Sequence, residues 1–168
     1  MTASTRNAKA RPMTADPPPA LTERLASING VASVTFHNRG LWVDAPMLDV
    51  EAMADAMTAL GIRLATITAI PQSVKGETTI IYHFIAESMI VSFRTQTRNG
   101  ALASLAGRLR AAAWAEREIR DLFAVDFPGH PNLVPLLKPS GFANGMVREA
   151  MCGPAALANS PTSALRVK

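Results

Sequence analysis

The stretch from Thr78 to Ile85 carries Ile80, Ile81, Tyr82, Phe84 and Ile85, so a strand there is apolar on both faces. A strand of that kind belongs inside a sheet, with neighbours on both sides. After Ala86-Glu87-Ser88 the chain returns through Met89 to Thr95, where Met89, Val91 and Phe93 alternate with Ile90, Ser92 and Arg94. That alternation predicts one mostly buried face, and the two runs together predict a hairpin. Arg63 to Ile70, rich in β-branched residues and stopped by Pro71, predicts a further strand. Val31, Ser33 and Thr35 precede His37-Asn38-Arg39-Gly40, and Leu41-Trp42-Val43 follow it, which predicts a second hairpin.

Helical patterns fill the intervals. One begins at Ala20-Leu21-Thr22-Glu23-Arg24-Leu25, opened at or near Pro19 and closed by Asn29-Gly30. Asp49 can cap a helix in which Val50, Met53, Met57 and Leu60 recur at helical spacing, and Gly61 can end it. Its methionines read as core. After Asn99-Gly100 a long helical region is expected from Ala101 to Phe123, beyond which Pro128, Pro131, Pro135 and Pro139 forbid long helix. From Met146 onward, with Gly153-Pro154 and small residues, the chain reads as an extended arm. The expected fold is α+β, a mixed sheet of about five strands with helices packed on it. The expected division is a flexible, basic, Pro-rich tail at 1–20, a domain at 21–137 and an extended C-terminal arm at 138–168.

With 168 residues, 48% of them hydrophobic, the chain suits one domain with a real core. Its net charge of +4 suggests an anionic partner until it is located. Residues 21–149 hold 12 basic and 12 acidic side chains, so the excess lies in the tails. Nucleic-acid or lipid binding through such tails would be weak and strongly salt-dependent. The single cysteine, Cys152, excludes a disulfide framework within the chain and reads as a plain thiol. No apolar run reaches the roughly 18 residues of a membrane span. The tail at 1–20 lacks a secretory apolar stretch, and Pro12 and Pro17-Pro18-Pro19 argue against an amphipathic transit helix, so the cytoplasm is the simplest compartment.

Residues 112–123 carry the most information. Helical spacing puts Ala112, Ala115, Ile119, Leu122 and Phe123 on one core stripe, and gathers Trp114, Arg117, Glu118 and Asp121 on another face. Glu116 and Arg120 are spaced as a separate i,i+4 pair. The bland reading is a solvated helix face whose pairs contribute about 0.3–0.5 kcal/mol each. The functional readings are paired carboxylates for acid–base chemistry or a Trp-anchored docking patch. Among the histidines, His130 reads as turn packing or a carboxylate partner, His83 as a satisfied core or partner-facing imidazole, and His37 as a solvent-facing loop residue. Trp42 reads as core or sheet edge.

Trp114-Ala115-Glu116-Arg117-Glu118, Asp121-Leu122-Phe123, and Phe127-Pro128-Gly129-His130-Pro131 with Leu133 resemble the signature of the thirty-kilodalton subunit of respiratory complex I, the C subunit of NADH-quinone oxidoreductase. Thr66-Ile67-Thr68-Ala69 and Tyr82-His83-Phe84 are similar to the family's strands upstream. The same domain occurs in membrane-bound energy-converting [NiFe] hydrogenases of the Ech, CO-induced and formate-hydrogenlyase types. Pro71, where complex I subunits usually have Asp, and Val134-Pro135, where they usually have an Arg pair, favour the hydrogenase group.

The resemblance implies a non-catalytic assembly subunit of a peripheral arm. It would dock on the hydrogenase large subunit, or the corresponding forty-nine-kilodalton subunit of complex I, and near the small iron–sulfur subunit. It implies no cofactor or metal on this chain, with iron–sulfur clusters, and a [NiFe] centre in a hydrogenase, elsewhere in the complex. No nucleic acid is expected, and the membrane is met only through the complex, on its cytoplasmic face. Trp114, Glu116, Arg117, Glu118, Asp121, Phe123, Gly129, His130 and Pro131 are then family-motif and interface residues. Phe127 to Pro131 would be a rigid turn sending the chain onto the partner. The reading of a different class is an independent acid–base enzyme using Glu118, Asp121 and His130.

Overall fold

The structure is a computed structural model that describes residues 17–37, 40–72, 77–86 and 89–152. Residues 1–16, 38–39, 73–76, 87–88 and 153–168, and the side chains of Glu149 and Cys152, lie outside the described residues.

Pro18 and Pro19 open the first helix, α1 (Pro19–Ala26), where a missing N–H costs nothing. The hairpin β1 (Ser33–His37) and β2 (Gly40–Asp44) follows, antiparallel, with His37 opposite Gly40. Asp49 then caps α2 (Val50–Ala59), its carboxylate accepting from Ala52 N–H at 3.0 Å. Gly61, at φ +68°, turns the chain out of that helix. Asp49→Ala is expected to cost about 1 kcal/mol, the usual cost of a lost cap, measured by urea unfolding of the purified chain.

The meander β3 (Arg63–Pro71), β4 (Thr78–Ala86) and β5 (Met89–Gln96) completes a five-stranded sheet in the order β1-β2-β5-β4-β3. Only the β2–β5 junction is parallel, which makes the sheet mixed. β4 lies between β5 and β3, the interior position its two apolar faces require. One sheet face carries Leu41, Val43, Ile80, Tyr82, Phe84, Val91 and Phe93, all at most 1% exposed. Leu25 of α1 and Met53 and Met57 of α2 pack into the same cluster, as the spacing of α2 requires. On the opposite face, β-register partners Trp42, Ser92 and His83 form a row. His83 Nδ1 lies 2.9 Å from Ser92 Oγ and its ring meets Trp42 edge-on at 6.3 Å. His83 and Trp42 are thus half-buried partners on the second face, outside the core cluster.

Two expectations fail. The helical region from Ala101 shrinks to α3 (Ala112–Phe123). Residues 101–109 instead lie against the chain after that helix, with Leu102 N–H bonded to Asp126 O at 3.0 Å and Ser104 N–H to Pro128 O at 2.9 Å. Those non-local bonds take the backbone groups that a helix would use. Residues 146–152 of the expected arm are not extended: they form α4 (Met146–Cys152) against α3, and Arg148 is fully buried, donating to Phe123 O and Glu77 O, while the arm from 153 lies outside the described residues.

Candidate functional site

Helix α3 carries the motif, and its side chains work in two directions. Inward, Glu116 stands at i+4 from Ala112 and i−3 from Ile119, in the middle of the apolar stripe. It is fully buried. A buried carboxylate must be satisfied, and Glu116 is: Ser104 Oγ donates to its Oε2 and Leu105 N–H to its Oε1 at 2.7 Å. Ser104 Oγ also accepts from Ala106 N–H, which closes a small turn under the helix. His130 Nε2 lies 3.9 Å from Glu116 Oε2. Burial pushes the Glu116 carboxyl above the usual glutamate range, against the pull of Ser104, the Leu105 N–H, His130 and the Ala106 N–H.

His130 enters through the turn at Phe127 to Pro131. Gly129 takes φ +87° and Phe127 is 1% exposed, so the turn is anchored in the core. The ring is satisfied at both nitrogens: Nδ1 accepts from Asn132 N–H at 3.0 Å, which leaves the proton on Nε2, 3.1 Å from Ala113 O. This is the turn-packing role.

Outward, α3 grips the segment 133–138. Arg120 donates to Leu133 O at 3.1 Å. Arg117 donates to Val134 O at 2.8 Å and Pro135 O at 3.0 Å. Asp121 Oδ2 accepts from the N–H groups of Leu136, Leu137 and Lys138 at 2.7, 2.8 and 3.3 Å. The arginines therefore take three successive carbonyls and the aspartate three successive amides, which holds an irregular segment without helix or sheet. Gly145 N–H bonds to Asp121 O at 2.8 Å and brings the following chain back to α3.

This arrangement corrects the sequence reading at three points. Asp121 is fully buried, because segment 133–138 folds over a face that looks solvated on a helical projection. Glu116 does not pair with Arg120, whose ion partner is Asp126 at 3.7 Å. Glu118, Asp121 and His130 are not gathered for acid–base work: Glu118 is exposed, while Asp121 and His130 serve separate backbone groups. Ser104 was missed altogether, and the carboxylate at the centre of an apolar stripe was the signal that something polar must meet it.

Several large apolar side chains stand at the surface around the clamp. Trp114 is 71% exposed, and Val134, Leu137, Phe142, Met146 and Met151 are exposed too. Phe123 and Leu133 are half-buried against the core, and Pro131 is exposed. Among the described residues, no group of three or more His, Cys, Asp or Glu could hold a metal ion, and no helix is long and apolar enough to cross a membrane.

Residues 44–151, which include the whole clamp, match the family described as respiratory-chain NADH dehydrogenase, 30 Kd subunit. The C subunit of NADH-quinone oxidoreductase from Jannaschia sp. is 36% identical over 75 residues, 42% of this chain and 35% of that protein. The chain thus matches about a third of the length of such a relative. Among solved structures, a trypsin-resistant fragment of Nqo5 superposes with a TM-score of 0.54 at 22% identity, over 68% of this chain and 96% of that one. A chain of a membrane-bound sulfane sulfur reductase, an archaeal respiratory membrane complex, superposes with a TM-score of 0.62 at 18% identity, over 73% of this chain and 76% of that one. Both share the fold.

Proposed function

Because the chain belongs to the 30 Kd subunit family of respiratory-chain NADH dehydrogenases, we propose that it is a peripheral-arm subunit of the complex I type that works by docking rather than by catalysis. The observation that carries this reading is the clamp. Arg117, Arg120 and Asp121 spend their polar groups on an internal segment, and that segment presents Val134 and Leu137 outward. Arg117, Arg120 and Asp121 hold this segment in place and so act as positioning residues, and the apolar side chains they set out are what a partner would cover.

The partners in this reading are a large catalytic subunit of the forty-nine-kilodalton type and the small iron–sulfur subunit, at the cytoplasmic face of the membrane. The tail at 1–20, the domain at 21–137 and the arm from 138 remain its divisions, with α4 as an ordered part of the arm. The name of the relative supports NADH-quinone oxidoreductase over hydrogenase. Pro71 and Val134-Pro135 favour the second reading, a [NiFe]-hydrogenase subunit. Since Arg117 holds Val134 and Pro135 through their carbonyl oxygens, the clamp does not depend on which side chains stand there.

Trp114→Ala with Leu137→Ser tests the docking face. Both side chains are exposed, so the stability of the isolated chain should change by no more than about 0.5 kcal/mol. Recovery of the large subunit with the tagged chain should fall at least tenfold. Unchanged recovery, or an equal loss of stability, would remove the docking role.

A further inference from the structure

Where α2 gives way to β3, an open groove of about 360 Å³ runs between Ile62, Arg63 and Leu64 on one side and Arg108, Leu109 and Arg110 on the other. Its wall combines three guanidinium-bearing side chains with an apolar floor, and no carboxylate lines it. Arg108 is braced from outside: it donates to both oxygens of Asp55, at 2.7 and 2.9 Å, and to Glu51 at 2.6 Å. Arg63 and Arg110 are exposed and have no ion-pair partner among the described residues.

We propose that this groove receives an acidic, partly apolar segment of a partner subunit, whose carboxylates pair with Arg63 and Arg110 while its apolar side chains cover Ile62, Leu64 and Leu109. Charge complementarity selects that occupant. Free guanidinium groups present forked donors suited to carboxylates. An open groove that leaves Arg63 and Arg110 exposed at its rim suits a peptide segment laid across it. The local balance also argues against a broad anionic surface such as a membrane. Arg63, Arg108 and Arg110 stand beside Glu51 and Asp55, and this single net positive charge, with Arg108 already paired, suits discrete carboxylates at Arg63 and Arg110 rather than a broad plane of lipid headgroups. Ala111 lines the groove and lies one helical turn from exposed Trp114, so a segment in it would continue onto the docking face. The inference rests on the docking reading and names the chemistry of the partner at this place.

The test is an amide NMR titration of the full, isotope-labelled chain with the blocked peptide Leu-Glu-Leu-Glu-Leu and its neutral counterpart Leu-Gln-Leu-Gln-Leu. The acidic peptide should shift amides confined to Gly61–Leu64 and Arg108–Ala111, saturably, and high salt should weaken it about tenfold. Arg63→Gln with Arg110→Gln, both at the surface, should lower its affinity at least about tenfold and leave the rest of the spectrum unchanged. Equal shifts with the neutral peptide, retained affinity in the double variant, or the same shifts with inorganic phosphate alone would overturn the proposal. So would Arg63- and Arg110-dependent sedimentation with phosphatidylglycerol vesicles in place of peptide binding. Because the titration uses the isolated chain, a positive result with no partner recovered from cells would count against the docking reading and leave the groove standing. A negative titration with normal assembly would remove the groove alone.

Discussion

Replacing Asp121 with alanine is expected to cost about 3 kcal/mol of stability and to release segment 133–138 from α3. The carboxylate is fully buried, and its Oδ2 is the acceptor for the N–H groups of Leu136, Leu137 and Lys138. An alanine offers them nothing, and an orphaned buried amide costs about 1–3 kcal/mol. Opening the segment to water recovers part of that cost, which is why the total stays below the sum for three. Asp121→Asn keeps one acceptor oxygen and should cost about half as much. Two measurements check this: urea unfolding, and hydrogen exchange of the three amides. Their protection should vanish in Asp121→Ala while that of β4 is reduced only by the global loss of stability. Full protection at Leu136 and Leu137 in the alanine variant would mean that the aspartate does not hold the segment.

Glu116 gives the second large effect, with a pH dependence of definite sign. Glu116→Ala leaves Ser104 Oγ and Leu105 N–H without their acceptor inside the fold and should cost about 3 kcal/mol. Glu116→Gln keeps the volume and one acceptor and removes the titration. In the native chain burial raises the Glu116 pKa above the ordinary 4.5, opposed by Ser104, the Leu105 N–H, His130 and the Ala106 N–H. An acid with a raised folded-state pKa contributes its full stability below the unfolded value and loses it as pH rises through the folded one. The native chain should therefore lose stability relative to Glu116→Gln as pH rises from 4.5 through the raised folded-state pKa. Asp44 has the opposite sign: hydrogen bonds from Arg94 hold its carboxyl below 3.8, so its contribution is present above that value and lost as pH falls through the lowered pKa. It is common to both proteins and cancels in their difference. A flat difference as pH rises above 4.5 would contradict the raised pKa of the buried Glu116 carboxyl.

The parts of this fold that were legible in sequence are those whose cause is local. Apolar residues on both sides of β4 demanded an interior strand, and Asp49 with Val50, Met53 and Met57 demanded a capped, core-facing helix. The parts that were not legible depend on chain returning from elsewhere. Ala101 to Leu109 has helix-forming residues, yet Asp126 and Pro128 take its backbone bonds. Asp121 looks solvated until segment 133–138 covers it. The residues around Arg148 form a helix against α3 because that side chain reaches carbonyls of Phe123 and Glu77. The motif itself was visible, but its meaning changed. Arg117 and Asp121, read in sequence as interface and helix-positioning residues, hold segment 133–138 in the structure.

That change alters what the charges of α3 are for. Glu116 fixes the turn beneath the helix, Arg117, Arg120 and Asp121 fix the segment above it, and Trp114 and Glu118 are the motif side chains of α3 left exposed. Exposed Val134, Leu137 and Trp114 are then the product of the motif. The most direct test of a docking role is affinity purification of the full tagged chain from gently solubilised membranes of its own source, with mass spectrometry of what accompanies it. A docking subunit should bring with it, in stoichiometric amounts, a small iron–sulfur subunit and a large subunit of the complex I or [NiFe] type, the identity of the latter deciding between the two readings. Recovery of the chain alone, while the large subunit assembles normally in its absence, would contradict that role.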